Sequence, residues 1–227
     1  MRRRVLTTLL TAGLTAAGIG VAAPASADAP CTIHDFSPRS VTVGLTPVTA
    51  TFSVRTSGCS MTGWVAQDAG WEFYTYADSP QETFNPWNNN DAGTMDVIIT
   101  ARNSDFASRE RVFANGFTLK RATAFQDGSF NASPEPVRRG ANVTVSGRLL
   151  IANWETDRYG PFGGRPVNVQ FRTPNGSYQT VKTVTTDRNG WVQTTVPAGA
   201  TGVWRLHYAG NSAAGRAVTA GDSVQVR

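Results

Sequence analysis

"VNVQFRTPNGSYQTVKTVTTDRNGWVQTTVPAGATGVWRLHYAG", residues 167–210, decides the fold class. Apolar and polar side chains alternate with a period of two over 167–172 and again over 204–208, the pattern of strands with one buried face. Between the segments lie Asn175-Gly176 and Asn189-Gly190, dipeptides that supply the positive φ angles of tight hairpins. Strand-like runs continue outward at 129–133, 143–152, 177–186, 191–198 and 222–227. Seven short antiparallel strands in about 100 residues read as an immunoglobulin-like sandwich.

The first half repeats this scheme less regularly, with candidate strands at 40–44, 48–56, 63–67, 71–77, 94–103 and 110–122. Breaks fall at Gly, Pro, Asn and Asp, and no long stretch carries helical periodicity. The expected fold is therefore all-β, with two tandem immunoglobulin-like β-sandwich domains at 28–124 and 125–227 and a linker near 123–129.

Residues 1–27, "MRRRVLTTLLTAGLTAAGIGVAAPASA", combine three arginines, an apolar stretch with threonines, and a small-residue end at Ala25-Ser26-Ala27. That is the layout of a cleaved signal peptide, so the product is expected to be secreted and extracellular. Arg2-Arg3 before Val5-Leu6 leaves both the general and the twin-arginine export routes open. No later stretch is apolar and long enough for a membrane span. Cys31 and Cys59 are the only cysteines. In an oxidising exterior they are expected to form one structural disulfide, because no CxxC spacing or neighbouring cation marks a reactive thiol.

The 21 Lys and Arg against 16 Asp and Glu become 18 against 16 once Arg2, Arg3 and Arg4 leave with the leader. Such a balance gives no reason to expect nucleic acid as a partner. It is unevenly spread, with 7 basic and 10 acidic residues over 28–125 and 11 and 6 over 126–227.

A group of short pieces in the second half resembles one family. Ser133-Pro134-Glu135-Pro136-Val137, Gly140, Ala152-Asn153-Trp154-Glu155, Gly164-Arg165-Pro166-Val167, Gln170-Phe171-Arg172, Asp187 with Asn189-Gly190, and Trp204-Arg205 with Ala209-Gly210 are similar to the C-terminal domain of certain exported proteins. These are secreted two-domain immunoglobulin-like proteins of high-GC Gram-positive bacteria, and the match is strongest over 131–210. Asn90-Asp91-Ala92-Gly93-Thr94 extends it loosely into the first half; the cysteine pair lies outside it. The resemblance implies the sandwich fold and secretion, and some members carry a calcium-binding label.

Catalysis finds little material. There is no GxSxG elbow and no HExxH pair, and His34 and His207 are the only histidines. Glu155 and Asp157 in the loop 153–165 raise glycoside hydrolysis, but carboxylates two apart on one loop rarely flank a scissile bond. Trp154 is expected to pack, with the acids near Arg158 or Arg165. The chain is read as a non-enzyme.

Binding has more. From Thr56 to Ala101 stand Asp68, Glu72, Asp78, Glu82, Asp91 and Asp96 without one Lys or Arg, among Trp64, Trp71, Phe73, Tyr74, Tyr76, Phe84 and Trp87. Strand alternation puts Trp71, Phe73 and Thr75 on one face and Glu72, Tyr74 and Tyr76 on the other, so some rings face solvent. Trp71, Tyr74, Tyr76, Trp87, Trp154 and Tyr159 are the candidate contacts for an extracellular protein or polysaccharide. Asn88, Asn90, Asp91 and Asp96 are oxygen donors of the kind calcium takes, the one cofactor considered; the competing reading is a turn rich in Asn and Asp leading into a core strand.

Overall fold

The computed structural model describes residues 31–59, 64–68, 73–102 and 107–227. The expected leader, Trp71 and Glu72 lie outside the described residues. The first nine strands are β1 (Thr32–Ser37), β2 (Ser40–Val43), β3 (Val48–Thr51), β4 (Ser53–Ser57), β5 (Trp64–Asp68), β6 (Tyr74–Tyr76), β7 (Gln81–Phe84), β8 (Gly93–Arg102) and β9 (Ser108–Arg121). The rest are β10 (Thr123–Phe125), β11 (Asn131–Ser133), β12 (Asn142–Asn153), β13 (Arg158–Pro161), β14 (Pro166–Arg172), β15 (Gln179–Thr185), β16 (Trp191–Pro197), β17 (Gly202–Tyr208), β18 (Ala217–Val218) and β19 (Asp222–Val224). A single 3-10 turn, Asn89–Asp91, is the only helical element among the described residues.

Two sandwiches result. In the first, the sheet β2-β9-β8-β5-β6 is accompanied by the ribbons β1-β4 and β3-β7. Its core holds Val97, Ile99 and Ala101 from alternate positions of β8, with Phe52, Phe73, Phe84 and Phe117 fully enclosed. In the second, β12 pairs with β10, β11, β13 and β16, and the facing sheet runs β15-β14-β17-β18 with β19 also on β17. Alternate residues again fill the core: Val143 and Val145 from β12, Val167 and Val169 from β14, Trp204, Leu206 and Tyr208 from β17. The chain is an all-β tandem of immunoglobulin-like sandwiches, as its alternation predicts.

Several local expectations change. The run 48–56 is two strands, because the Phe52 side chain turns into the core and its N–H bonds to Pro80 O at 2.7 Å, ending the pairing with β7 before pairing with β1 begins. Neither Asn-Gly dipeptide makes a tight hairpin. Gly176 lacks positive φ and its N–H closes a turn on Thr173 O. Gly190 does take φ +82°, but it carries the chain between sheets, since β15 pairs with β14 and β16 with β12. A Cβ there would stand 2.3 Å from Leu149 O, so the crossing needs glycine.

The expected linker is also corrected, for β9 ends at Arg121 and β10 starts at Thr123. The one residue between them serves both sandwiches: Ala122 N–H donates to Val43 O and Ala122 O accepts from Ala152 N, each at 2.8 Å.

Cys31 and Cys59 are bonded, tying the outer end of the β1-β4 ladder just beyond the Thr32↔Ser57 pair. Their separation of 28 residues corresponds to about 3.5 kcal/mol in the chain-entropy account. A Cys31→Ser/Cys59→Ser variant is expected to lower the melting temperature by roughly 7 to 14 °C. Calorimetry without reductant measures it, and an unchanged melting point would show that the ladder alone holds this end.

Candidate functional site

The side chains singled out as contacts fall into two places. Tyr74 and Tyr76 stand 48% and 47% exposed on β6, the free edge of the large sheet, while Phe73 and Thr75 between and before them are buried at 1% and 0%. The register carries this outward face across the sheet. Tyr76 lies opposite Val65 and Val65 opposite Thr100; Tyr74 lies opposite Gln67, Gln67 opposite Ile98, and Ile98 opposite Val112, itself well exposed. Next to Tyr76 a cleft of about 390 Å³ is lined by Trp64, Val65, Tyr76, Asp78, Thr100 and Arg102. The face is thus largely aromatic and aliphatic, with one carboxylate and one guanidinium at the cleft. Trp64 and Arg102 were not among the candidate contacts expected here; the cleft brings them together with Tyr76.

Trp87, Trp154 and Tyr159 gather instead where the sandwiches meet. Trp154 is 8% exposed within the core of the first sandwich, and its Nε1–H donates to Gly44 O at 2.9 Å. It is therefore mainly a packing residue, as the sequence reading expected. A Cβ on Gly44 would stand 3.3 Å from the Tyr159 hydroxyl, so glycine lets that ring approach the same strand end. Trp87 is 77% exposed and borders a cleft of about 170 Å³ with Leu45, Trp154 and Asp157.

The asparagine run fastens this meeting. Asn88 caps the turn by accepting from Asn90 N–H at 2.9 Å. The Asn89 side chain then works as a peptide would at a strand edge: its Nδ2–H donates to Asn153 Oδ1 at 2.8 Å and its Oδ1 accepts from Trp154 N–H at 3.0 Å. Its backbone N–H donates to Glu155 Oε1 at 3.2 Å. From the other side, Arg121 Nε–H donates to Ala152 O at 2.7 Å, and its main chain exchanges bonds with Ala213 O and Gly215 N. Burial lowers the Arg121 pKa and the nearby Glu155 carboxylate opposes that shift. Glu155 thus faces Asn89 and Arg121 rather than Arg158 or Arg165, which corrects the expected pairing. Asn89 escaped the sequence reading because an amide's partner 65 residues away leaves no local signal.

Of the four oxygen donors considered for calcium, Asn88 and Asp96 each already accept a backbone N–H, Asp96 Oδ1 from Asn115 at 2.6 Å. Burial raises the pKa of Asp91, with the Asn88 backbone bond opposing. Among the described residues no three His, Cys, Asp or Glu side chains stand together to hold a metal ion.

Of the catalytic candidates, Asp157 sits in left-handed backbone at φ +50° beside the small cleft. His34 Nε2 and Ser57 Oγ are 2.7 Å apart, a pair not anticipated. It spans exposed neighbours of the β1-β4 ribbon, and among the described residues no carboxylate bonds the other nitrogen, as a nucleophile–base pair requires. The neighbouring Asp35 is occupied by Arg39.

No family model matches the chain, and no curated protein matches it. Among solved structures it is similar to the fibronectin(III)-like modules of Clostridium thermocellum CbhA, at 9% identity and a TM-score of 0.38, over 87% of this chain and 93% of that one. It is also similar to the D00-D0 domain of intimin, at 11% and 0.30 over 84% and 98%, and to a 1.5-MDa bacterial ice-binding adhesin, at 13% and 0.30 over 87% and 64%. At these values the architecture rests on the strand order and register given above. No helix among the described residues is long and apolar enough to cross a membrane.

Proposed function

We propose that the protein is an exported, non-catalytic binding protein that attaches to an extracellular polysaccharide through the outward face of β6, β5 and β8. The observation that carries this reading is the pair Tyr74 and Tyr76, half exposed on an edge strand in register with Val65 and Ile98. Planar rings on a flat sheet can cover the C–H faces of sugar units, and the Asp78 and Arg102 groups in the adjoining cleft can bond hydroxyls. Export is supported by the sequence of 1–27, by the disulfide and by the resemblance to secreted proteins of high-GC Gram-positive bacteria.

Retention of the wild-type chain on insoluble polysaccharides, set against that of Tyr74→Ala/Tyr76→Ala, tests the reading. Two rings at about 1 kcal/mol each correspond to a roughly thirtyfold loss of affinity. Both rings are exposed, so the melting temperature should stay within about 2 °C. Equal retention of the two proteins, or none by either, would remove the proposal.

A further inference from the structure

The second sandwich presents a different surface. Along β14 and β17, Val167, Val169, Trp204, Leu206 and Tyr208 point inward, which leaves Asn168, Gln170, Arg172, Arg205 and His207 facing out. Across the strands Asn168 lies opposite His207, Gln170 opposite Arg205 and Arg172 opposite Val203. Among the described residues, β14 and β17 carry no carboxylate on this face. Three of the six acids of this half are engaged elsewhere: Glu155 at the joint, Asp187 on the N–H groups of Asn189 and Trp191, Asp222 on Ala132 N–H. Arg39 with Asp35, in the other sandwich, is the only ion pair among the described residues.

The two cations are also held in place. Arg205 lies 3.6 Å from the centroid of the Tyr178 ring and Arg172 lies 5.2 Å from it. That ring reaches across β17, since a Cβ on Gly221 would stand 2.9 Å from its hydroxyl. Arg205 Nε–H donates to Gln170 Oε1 at 2.8 Å, and Gln170 in turn donates to Thr180 Oγ1 at 3.2 Å. Arg172 Nη1–H donates to Pro174 O at 2.9 Å. Among the described residues the terminal nitrogens of Arg205 bond no protein group. Burial and the charges of Arg205 and Arg216 lower the pKa of His207, as expected where nearby charges are all positive.

We propose that this face of β14 and β17 binds a carboxylate-bearing polysaccharide, with Arg205 and Arg172 taking its carboxylates and Asn168 and His207 lying along the chain. Guanidinium forks match carboxylates in plane, and immobilised forks lose less entropy on binding. An extended polymer suits a flat strand face. Nucleic acid fits less well, because Tyr178 already carries the two guanidiniums and leaves no free ring for a base.

Affinity electrophoresis of the wild-type chain through gels containing polygalacturonate or neutral galactan is the test. Retardation by polygalacturonate alone is expected, weakening between about 50 and 200 mM NaCl. Arg172→Gln/Arg205→Gln should lose at least roughly tenfold in affinity. Arg138→Gln/Arg139→Gln, with the same change in net charge, should bind as wild type. Tyr178→Ala keeps both charges and should weaken binding, because it releases the two guanidiniums; unchanged binding would count against the assignment. Equal loss in the two arginine pairs, equal retardation by galactan, or preference for duplex DNA over polygalacturonate would each overturn the assignment. Tyr74→Ala/Tyr76→Ala should leave polygalacturonate binding intact, which separates this surface from the one on β6.

Discussion

Trp154→Ala is expected to cost about 3 to 5 kcal/mol and to split one thermal transition into two. The indole is enclosed by residues of the first sandwich although it follows the last strand residue of β12 in the second. Ala152 and Trp154 are the residues that the second half contributes to the first core, so truncation opens a cavity at the place where the two bodies share apolar surface. It also strands Gly44 O, which then lacks the indole N–H. Calorimetry of wild type should show one transition, because Ala152 and Trp154 of the second half pack in the first core and Ala122 bonds to both sandwiches, which couples their melting. In the variant the second sandwich, with its own core, should keep the higher transition. Trp154→Phe fills most of the cavity and lacks only the donor, and should cost about 1 to 2 kcal/mol. Asn89→Ala tests the polar half of the joint, and its effect should be non-additive with Trp154→Ala. One transition in Trp154→Ala, displaced by less than about 1 kcal/mol, would mean that the joint is not cooperative.

The fold was legible where a strand has one wet face and one dry. β17 alternates from Gly202 to Tyr208 and β14 as far as Gln170, Phe171 being only partly buried. Short ribbons were not: β1, β7 and β13 are only 6, 4 and 4 residues long, and their pairing is set by partners distant in sequence. Asn189-Gly190 shows the same limit. The dipeptide specifies backbone φ, whereas the identity of the strand that β16 joins depends on β12. Tyr74 and Tyr76 could be placed outward by parity alone. The joint could not be read, because Asn89, Arg121 and Glu155 each look like ordinary surface polar residues until the second sandwich is laid against the first. The acidic run 56–101 divides accordingly, its described rings partly core and partly exposed, its asparagines a clasp.

Phe117→Ala should be the largest core effect, at about 3 to 5 kcal/mol. Its ring lies 5.8, 5.5 and 5.5 Å from those of Phe52, Phe73 and Phe84, all four nearly inaccessible to water. Rings at such separations gain from edge and offset contacts beyond their buried area, and none can slide to fill the void without disturbing the other two. Those partners come from β7, from the residue between β3 and β4, and from the residue before β6, so the cavity loosens the large sheet and the β3-β7 ribbon together. Phe117→Leu keeps most of the volume and should recover more than half of the loss. Because the joint couples the bodies, Phe117→Ala alone should lower the single transition of the whole protein. Placed in the Trp154→Ala background it should lower the first transition and leave the second where it was. Movement of both transitions there, or a loss below about 1.5 kcal/mol in the single variant, would contradict a first core that is close-packed and coupled to the second sandwich chiefly through Trp154.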